Sequence, residues 1–147
     1  MIRIFSGILL FFIGFVSFSA MNGSPVALFI NVHGLLLAFF FITAGFVASG
    51  WNAADLFNAL NAKIENESHA LRLIEMLSYM EKISVISSII GLINGVVLIL
   101  FNLGEASRIG PAAAVAILMP LYCAVFYLFA AIIKSRVKLS MGRIAVK

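Results

Sequence analysis

The charged residues of this chain are confined to a few short segments, and long tracts between them contain none. No Asp, Glu, Lys or Arg occurs within residues 4–54, 83–104 or 109–133. A membrane-spanning helix needs roughly 20 consecutive apolar residues, so the first tract has the length of two spans and each of the others has the length of one. Only 11% of the residues are charged, which is too few to cover the surface of a soluble domain. The tracts therefore predict an integral membrane protein.

The pattern predicts an all-α fold with four transmembrane helices, because a turn signal, "NGSP" at residues 22–25, divides the first tract. A secretory signal peptide is the alternative for the first span, since Arg3 precedes it and residues 17–20 resemble a cleavage site. Its apolar stretch is longer than that of a usual signal peptide, which favours an uncleaved helix. The predicted spans are Ile4–Met21, Val26–Ser49, Ile83–Leu103 and Pro111–Ile133.

Lysine and arginine are distributed unevenly around these spans. The turn at residues 22–25 has neither, and the turn at residues 104–110 has only Arg108, which is offset by Glu105. The positive-inside rule then predicts that both termini and the middle segment are cytoplasmic. The net charge of +4 is accordingly a topology signal, and no nucleic-acid partner is expected. The predicted parts are a first hairpin (1–50), a short cytoplasmic helical segment (51–82), a second hairpin (83–133) and a basic cytoplasmic tail (134–147).

Catalytic or metal-binding groupings are not evident in the sequence. Cys123 is the single cysteine, so it has no partner for an intrachain disulfide. His33 falls in a predicted span, but no span contains an acidic residue, so a hydrogen bond to a neighbouring helix or a position near the membrane interface is favoured over a proton path. We expect no enzymatic activity, no cofactor and no metal.

The segment between the two hairpins has features of an amphipathic helix. Trp51 is placed as an interfacial anchor, and Asn52 with Asp55 resembles a helix cap. An apolar row at helical spacing predicts a helix that continues into the third span without a break. Packing of this row on a neighbouring element is favoured over a protein-binding surface, with Arg72 and Glu75 as candidate cytoplasmic contacts. The row consists of Ala70, Leu73, Leu77, Met80 and Ser84.

The third and fourth spans each carry a face of small residues, whereas the first two are dense in phenylalanine. Small residues allow close contact between membrane helices. They favour either packing within one subunit or a lined cavity, and periodicity leaves both open. The bulky first two spans suit a lipid-facing outer layer. The candidate ion-path or partner-facing residues are Ser84, Ser88, Gly91, Gly95, Ala113, Ala116, Pro120 and Cys123.

A family resemblance rests mainly on residues 84–139, which read "SVISSIIGLINGVVLILFNLGEASRIGPAAAVAILMPLYCAVFYLFAAIIKSRVKL". The Gly91-Leu92 pair, the polar turn at residues 104–108 and the Gly110-Pro111 pair before an alanine-rich helix resemble the last two membrane helices of the MotA/TolQ/ExbB family. The MotA branch of flagellar stator subunits is the most similar. Residues 21–50 resemble the family's earlier turn and second helix.

The resemblance implies a subunit of an ion-driven motor or energy-transducing complex in the bacterial inner membrane. It implies a pentameric homo-oligomer whose third and fourth helices surround a dimer of a single-span partner of the MotB/TolR/ExbD kind, with lipid outside. The partner of that family carries the ion-binding Asp. The family's hydroxyl in the third helix is retained as Ser88, whereas Met119 and Pro120 stand where hydroxyls are expected in the fourth. The alternative is therefore a non-conducting structural ring.

Pro120 interrupts the fourth span. A proline within a helix removes one backbone hydrogen bond and frees a carbonyl, here that of Ala116. Such groups are tolerated in membranes where protein or water satisfies them. Either Pro120 faces the ring interior or it only adjusts packing. Pro111, by contrast, is expected in the first turn of its helix.

Overall fold

The computed structural model describes residues 30–61, 63–64 and 66–144, together with residues 6, 7, 10, 13, 16 and 17. All regular structure in this part of the chain is helical, which confirms the all-α prediction. The four helices are α1 (Val32–Ala48), α2 (Ala53–Asn61), α3 (Glu67–Phe101) and α4 (Ala106–Ile144).

Helix α1 begins six residues later than the predicted span. Asn31 is extended and its side-chain oxygen accepts a hydrogen bond from the Gly34 amide, so it caps the helix at Val32. The last turn ends at Gly50, whose φ of +76° is a left-handed conformation that favours glycine. With 17 residues, α1 is about 25 Å long, which is shorter than a hydrocarbon core of roughly 30 Å.

Helix α2 turns sharply away from α1, with a bend of 107° between them. The predicted cap is confirmed: the Asn52 side chain accepts a hydrogen bond from the Ala54 amide, and α2 begins at Ala53. Asp55 lies in its first turn, where a carboxylate is favourable to the helix dipole. The chain therefore changes direction sharply between α1 and α2.

Helices α3 and α4 form a long antiparallel hairpin. The prediction of a continuous helix from the middle segment into the third span is confirmed, since α3 runs unbroken for 35 residues. At about 52 Å it extends well beyond a bilayer core. The predicted boundary between residues 82 and 83 therefore lies inside one helix.

The expectation that Pro111 lies in the first turn of its helix is wrong. Helix α4 begins at Ala106, and the Arg108 amide donates a hydrogen bond to the Glu105 carbonyl in its first turn. Both Pro111 and Pro120 lie inside the helix. The turn between the helices, residues 102–105, is shorter than predicted because α4 begins before Pro111. Helix α3 ends at Phe101, after which the Asn102 amide donates a hydrogen bond to the Leu98 carbonyl.

We call the end of the hairpin that carries charged residues, 67–82 of α3 and 134–144 of α4, the polar half. An apolar core shared among α2, α3 and α4 stabilises it. Ala70, Leu73 and Leu77 of the row predicted from helical spacing belong to this core, and Met80 packs against it, whereas Ser84 lies outside it. Burial of such side chains is the main stabilising contribution in water. The fully buried members are Ala59, Ala70, Leu73, Met76, Leu77, Ile133 and Val137.

Two of the described helices, α3 and α4, are long and apolar enough to cross a membrane. The bent pair of α1 and α2 supplies a third candidate if the two are counted as one span. The predicted first span, Ile4–Met21, lies outside the described residues except at six helical positions. The fold is therefore that of a helical membrane protein, while the four-span count stays a prediction.

Candidate functional site: a groove on the α3–α4 hairpin

Inside the membrane segment, α3 and α4 approach each other through small residues. On α3 the buried face consists of Ser84, Ser87, Gly91 and Gly95. On α4 the facing buried residues are Ala112, Ala116, Met119 and Cys123. Lipid tails are as apolar as leucine, so such close packing replaces the hydrophobic effect as the force between helices.

Two glycines set the distance between these helices. A Cβ atom built on Gly95 would lie 2.5 Å from the Ala116 amide nitrogen and closer still to its Cα and Cβ. A Cβ on Gly91 would lie 2.6 Å from Cγ and 2.9 Å from Cε of Met119. The first obstacle is backbone and the second is a flexible side chain, so Gly95 is the stricter requirement.

Helix α1 packs against the α3–α4 hairpin. Ala38 is buried with Met119 and Cys123. The Asn31 amide donates a 2.7 Å hydrogen bond to the Tyr122 hydroxyl, and the Tyr122 ring lies close to Gly34. These contacts fix the start of α1 against the middle of α4, and among the described residues one face of the α3–α4 pair is left uncovered.

The uncovered face carries a groove of about 270 Å3 between α3 and α4. Its polar character comes from two serine hydroxyls and one tyrosine in an otherwise apolar surface. The Ser84 hydroxyl donates to the Met80 carbonyl, and Ser84 is only 1% exposed, so Ser88 is the more accessible of the two serines. We call this site the groove; it is lined by Ser84, Val85, Ser88, Ile89, Pro120, Cys123, Ala124 and Tyr127.

A wider polar depression, which we call the mouth, adjoins the groove at the end nearer the polar half of the hairpin. Its volume is about 690 Å3, and it contains an ion pair between the Lys134 ammonium and the Glu81 carboxylate at 2.5 Å. The mouth and the groove share two lining residues, Val85 and Tyr127, so they lie side by side. The mouth is lined by Ser78, Glu81, Lys82, Val85, Ile86, Tyr127 and Lys134.

The structure divides the predicted site residues into two groups. Gly91, Gly95 and Ala116 lie in the contact between α3 and α4 of one chain. This agrees with the first of the two predicted roles of the small residues, packing within one subunit. Ala113 is half-buried beside that contact. The rest of the predicted set lines the groove, where Ser88 and Pro120 are partly exposed, whereas Ser84 and Cys123 are each only 1% exposed. The groove brings together Ser84, Ser88, Pro120 and Cys123.

Residues that the sequence did not single out complete this arrangement. Met119 is buried opposite Gly91 of α3, Ala112 is also buried, and Ser87 is buried whereas Ser88 is only partly so. Glu81 lies just before the predicted third span and Lys134 just after the fourth, and the sequence does not predict their ion pair. Helical spacing alone gives no rotation of one helix relative to the other, so no sequence signal shows which neighbour in each row faces inward.

The predicted cytoplasmic contacts lie on the outer face of the polar half. Arg72 forms an ion pair with Asp55 at 2.9 Å, and its guanidinium lies over the Trp51 ring at 5.9 Å. Glu75 is exposed one helical turn further along α3. Arg72 thus fastens α2 to α3, while Glu75 is available to a partner.

The described residues hold no group of three or more His, Cys, Asp or Glu that could bind a metal ion. His33 is exposed on α1, and the Nδ1 atom of His69 is buried with no hydrogen-bond partner. The expected contact between His33 and a neighbouring helix is therefore not formed within the described chain. No metal chemistry follows from either histidine.

The exposed surface of the membrane segment is apolar over much of α1, α3 and α4. Phe39 and Phe40 point outward as predicted for a lipid-facing layer, whereas Phe46 packs on the core of the polar half. On α3, exposed side chains include Ile86, Ile93 and Val97. Such a continuous apolar surface is compatible with lipid rather than water.

No protein-family model matches the chain, and the searches of curated proteins and of solved structures also find no match. The function must therefore be inferred from the residues and the geometry of this chain.

Proposed function

We propose that the chain is a MotA-like subunit of an ion-driven membrane complex. Copies form a pentameric ring around a dimer of single-span partner helices, and the groove faces the ring interior. The observation that carries the proposal is the groove itself, which presents two serines and Pro120 on one face of two membrane-length helices. The proposal also draws on the family resemblance of residues 84–139.

The chemistry of the groove suits a cation path that is completed by a second protein. Hydroxyl oxygens such as that of Ser88, which is partly exposed in the groove, can replace part of the hydration shell of a cation. Yet no residue within 83–104 or 109–133 is acidic, so these spans provide no counter-charge. A carboxylate on the partner helix would supply it, because intramembrane acids are the usual ion carriers.

Pro120 gives a further reason for an occupied groove. It has no amide hydrogen, so the Ala116 carbonyl lacks its helical donor. Within a membrane such a carbonyl is tolerated where protein or water lies close by. A partner helix or water in the groove, beside Pro120, would meet that requirement.

The polar half of the hairpin provides a rigid extension outside the bilayer. Its core joins α2, α3 and α4, and the Asp55–Arg72 ion pair fastens its outer face. In this proposal it transmits movement of the ring to a load, with Glu75 at the exposed surface.

The alternative, a non-conducting structural ring, is favoured by one specific observation. Met119 fills the space against Gly91, and Pro120 has no hydroxyl, so α4 contributes no serine or threonine to the groove. The two functions differ in whether water reaches the groove.

Thiol labelling distinguishes them. In a Cys123→Ser background, we expect Ser88→Cys in native membranes to react with a charged, water-soluble thiosulfonate about tenfold faster than Ile93→Cys. The reason is that only a hydrated thiol ionises to the reactive thiolate. Ile93 is the matched control because it lies on the same helix with 57% of its surface exposed toward the predicted lipid.

Equal or faster labelling at position 93 would contradict the groove-inward orientation. Two unreactive cysteines in an assembled ring would instead favour the non-conducting alternative.

A further inference from the structure

The groove is adjoined by the mouth at the end nearer the polar half of the hairpin, where both are lined by Val85 and Tyr127. Along α3, Ser88, Ser84 and Glu81 follow one another at spacings of four and three residues, which places them on one helix face. All three line the groove or the mouth. A molecule leaving the groove toward the polar half of the hairpin therefore meets Glu81.

The Glu81–Lys134 ion pair is shielded more than an ordinary surface pair. The exposed fractions of the two side chains are 13% for Glu81 and 22% for Lys134. The residues are 53 positions apart in sequence, so the pair also connects α3 to α4. A charge this shielded is costly unless it has a partner, which explains why each side chain holds the other.

We propose that Glu81 is the exit carboxylate of the groove, through which a monovalent cation passes to the aqueous side. This inference rests on the proposed function and adds a residue to its ion path. Of the residues that line the mouth, Glu81 alone is acidic, whereas Lys82 and Lys134 would repel a cation. Tyr127 is the remaining titratable group that lines it.

The exchange is balanced in charge. Without a cation, Lys134 compensates the Glu81 carboxylate. A proton arriving along the groove binds a Glu81 oxygen, Lys134 stays protonated, and the proton then passes to water in the mouth. A sodium ion would instead be coordinated by the same oxygens and released intact. In both cases Glu81 returns to its pair with Lys134.

A purely structural role is the competing explanation, since the pair also fastens two helices. The two roles differ in what they affect: a fastening pair affects assembly and thermal stability, whereas an exit carboxylate affects flux per assembled complex.

The experiment uses the complex purified from native membranes and reconstituted in liposomes with an imposed potential. Internal pyranine reports protons and a sodium-sensitive dye reports Na⁺. We expect Glu81→Gln to reduce flux per assembled complex about tenfold, as expected for loss of a proton-relay or cation-binding carboxylate. Glu67→Gln, an exposed carboxylate at the start of the same helix, is the matched control and should conduct normally. The dye that responds identifies the cation.

The double variant Glu81→Lys with Lys134→Glu retains the pair and places the carboxylate on α4. We expect it to assemble normally and to recover flux to within about threefold of the native complex. It also decides the question if Glu81→Gln fails to assemble: an assembled exchange variant without flux would overturn the inference.

Failure of the inference is distinguishable from failure of the proposed function. If the native complex conducts and Glu81→Gln conducts equally, Glu81 is structural and the ion-driven function stands. If the native complex conducts neither cation, the ion-driven function fails and the exit carboxylate fails with it.

Discussion

Replacing Gly95 with alanine is expected to destabilise the membrane hairpin by about 3 kcal/mol, at the upper end of the usual cost of overpacking. The added Cβ would lie 2.5 Å from the amide nitrogen of Ala116, so the obstacle is backbone on the facing helix. Helices α3 and α4 must then separate, which opens the neighbouring contacts as well. Unfolding in a detergent titration, followed by circular dichroism, measures the change.

Two other glycines make this prediction specific. Gly91→Ala should cost less, about 1 kcal/mol, because the atoms in its way belong to the flexible Met119 side chain. Gly110→Ala lies in α4 with nothing within 4 Å of the added Cβ and should be neutral or slightly stabilising. Equal effects at all three positions would show that the close α3–α4 contact does not exist.

Replacing Leu73 with alanine is expected to destabilise the polar half of the hairpin by about 3 kcal/mol. Leu73 is completely buried in the core shared by α2, α3 and α4, and truncation leaves a cavity there. The loss should appear as a lower thermal midpoint and as earlier proteolysis near α2, whose contacts depend on this core.

Leu71 is the matched control, because it lies on the same helix two residues away with 53% of its surface exposed. Leu71→Ala should change the free energy of unfolding by no more than about 0.5 kcal/mol. A larger loss at Leu71 than at Leu73 would mean that the face of α3 assigned to the core is the wrong one.

The sequence predicts helix faces well where polar and apolar residues alternate with helical period. The row from Ala70 to Leu77 is buried as expected, because only one face of α3 can avoid water in its polar half. The Asn52 cap is similarly readable, since its side chain acts on its own neighbouring amides.

Helix ends inside apolar sequence were less predictable. Val26 was expected to begin a span, but the Asn31 side chain caps α1 at Val32. Pro111 was expected in a first turn, yet α4 begins at Ala106. Hydropathy does not distinguish helix from extended chain, and the deciding hydrogen bonds depend on local geometry.

The rotation of α3 relative to α4 depends on how individual side chains pack between the two helices. The periodicity of a single sequence does not show that packing. Met119 is the clearest case, since its long side chain is buried only because Gly91 is opposite. The ion pair of Glu81 with Lys134 likewise joins residues that are distant in sequence. The groove could therefore be outlined from the small-residue rows, but its mouth could not.

Native mass spectrometry of the complex, released directly from lipid nanodiscs, tests the central claim that copies of this chain enclose a second protein. We expect one dominant species that contains a pentamer of the chain together with a dimer of a second polypeptide with a single membrane span. A particle with a single copy of the chain and no second polypeptide, from membranes in which the protein is stable, would contradict it.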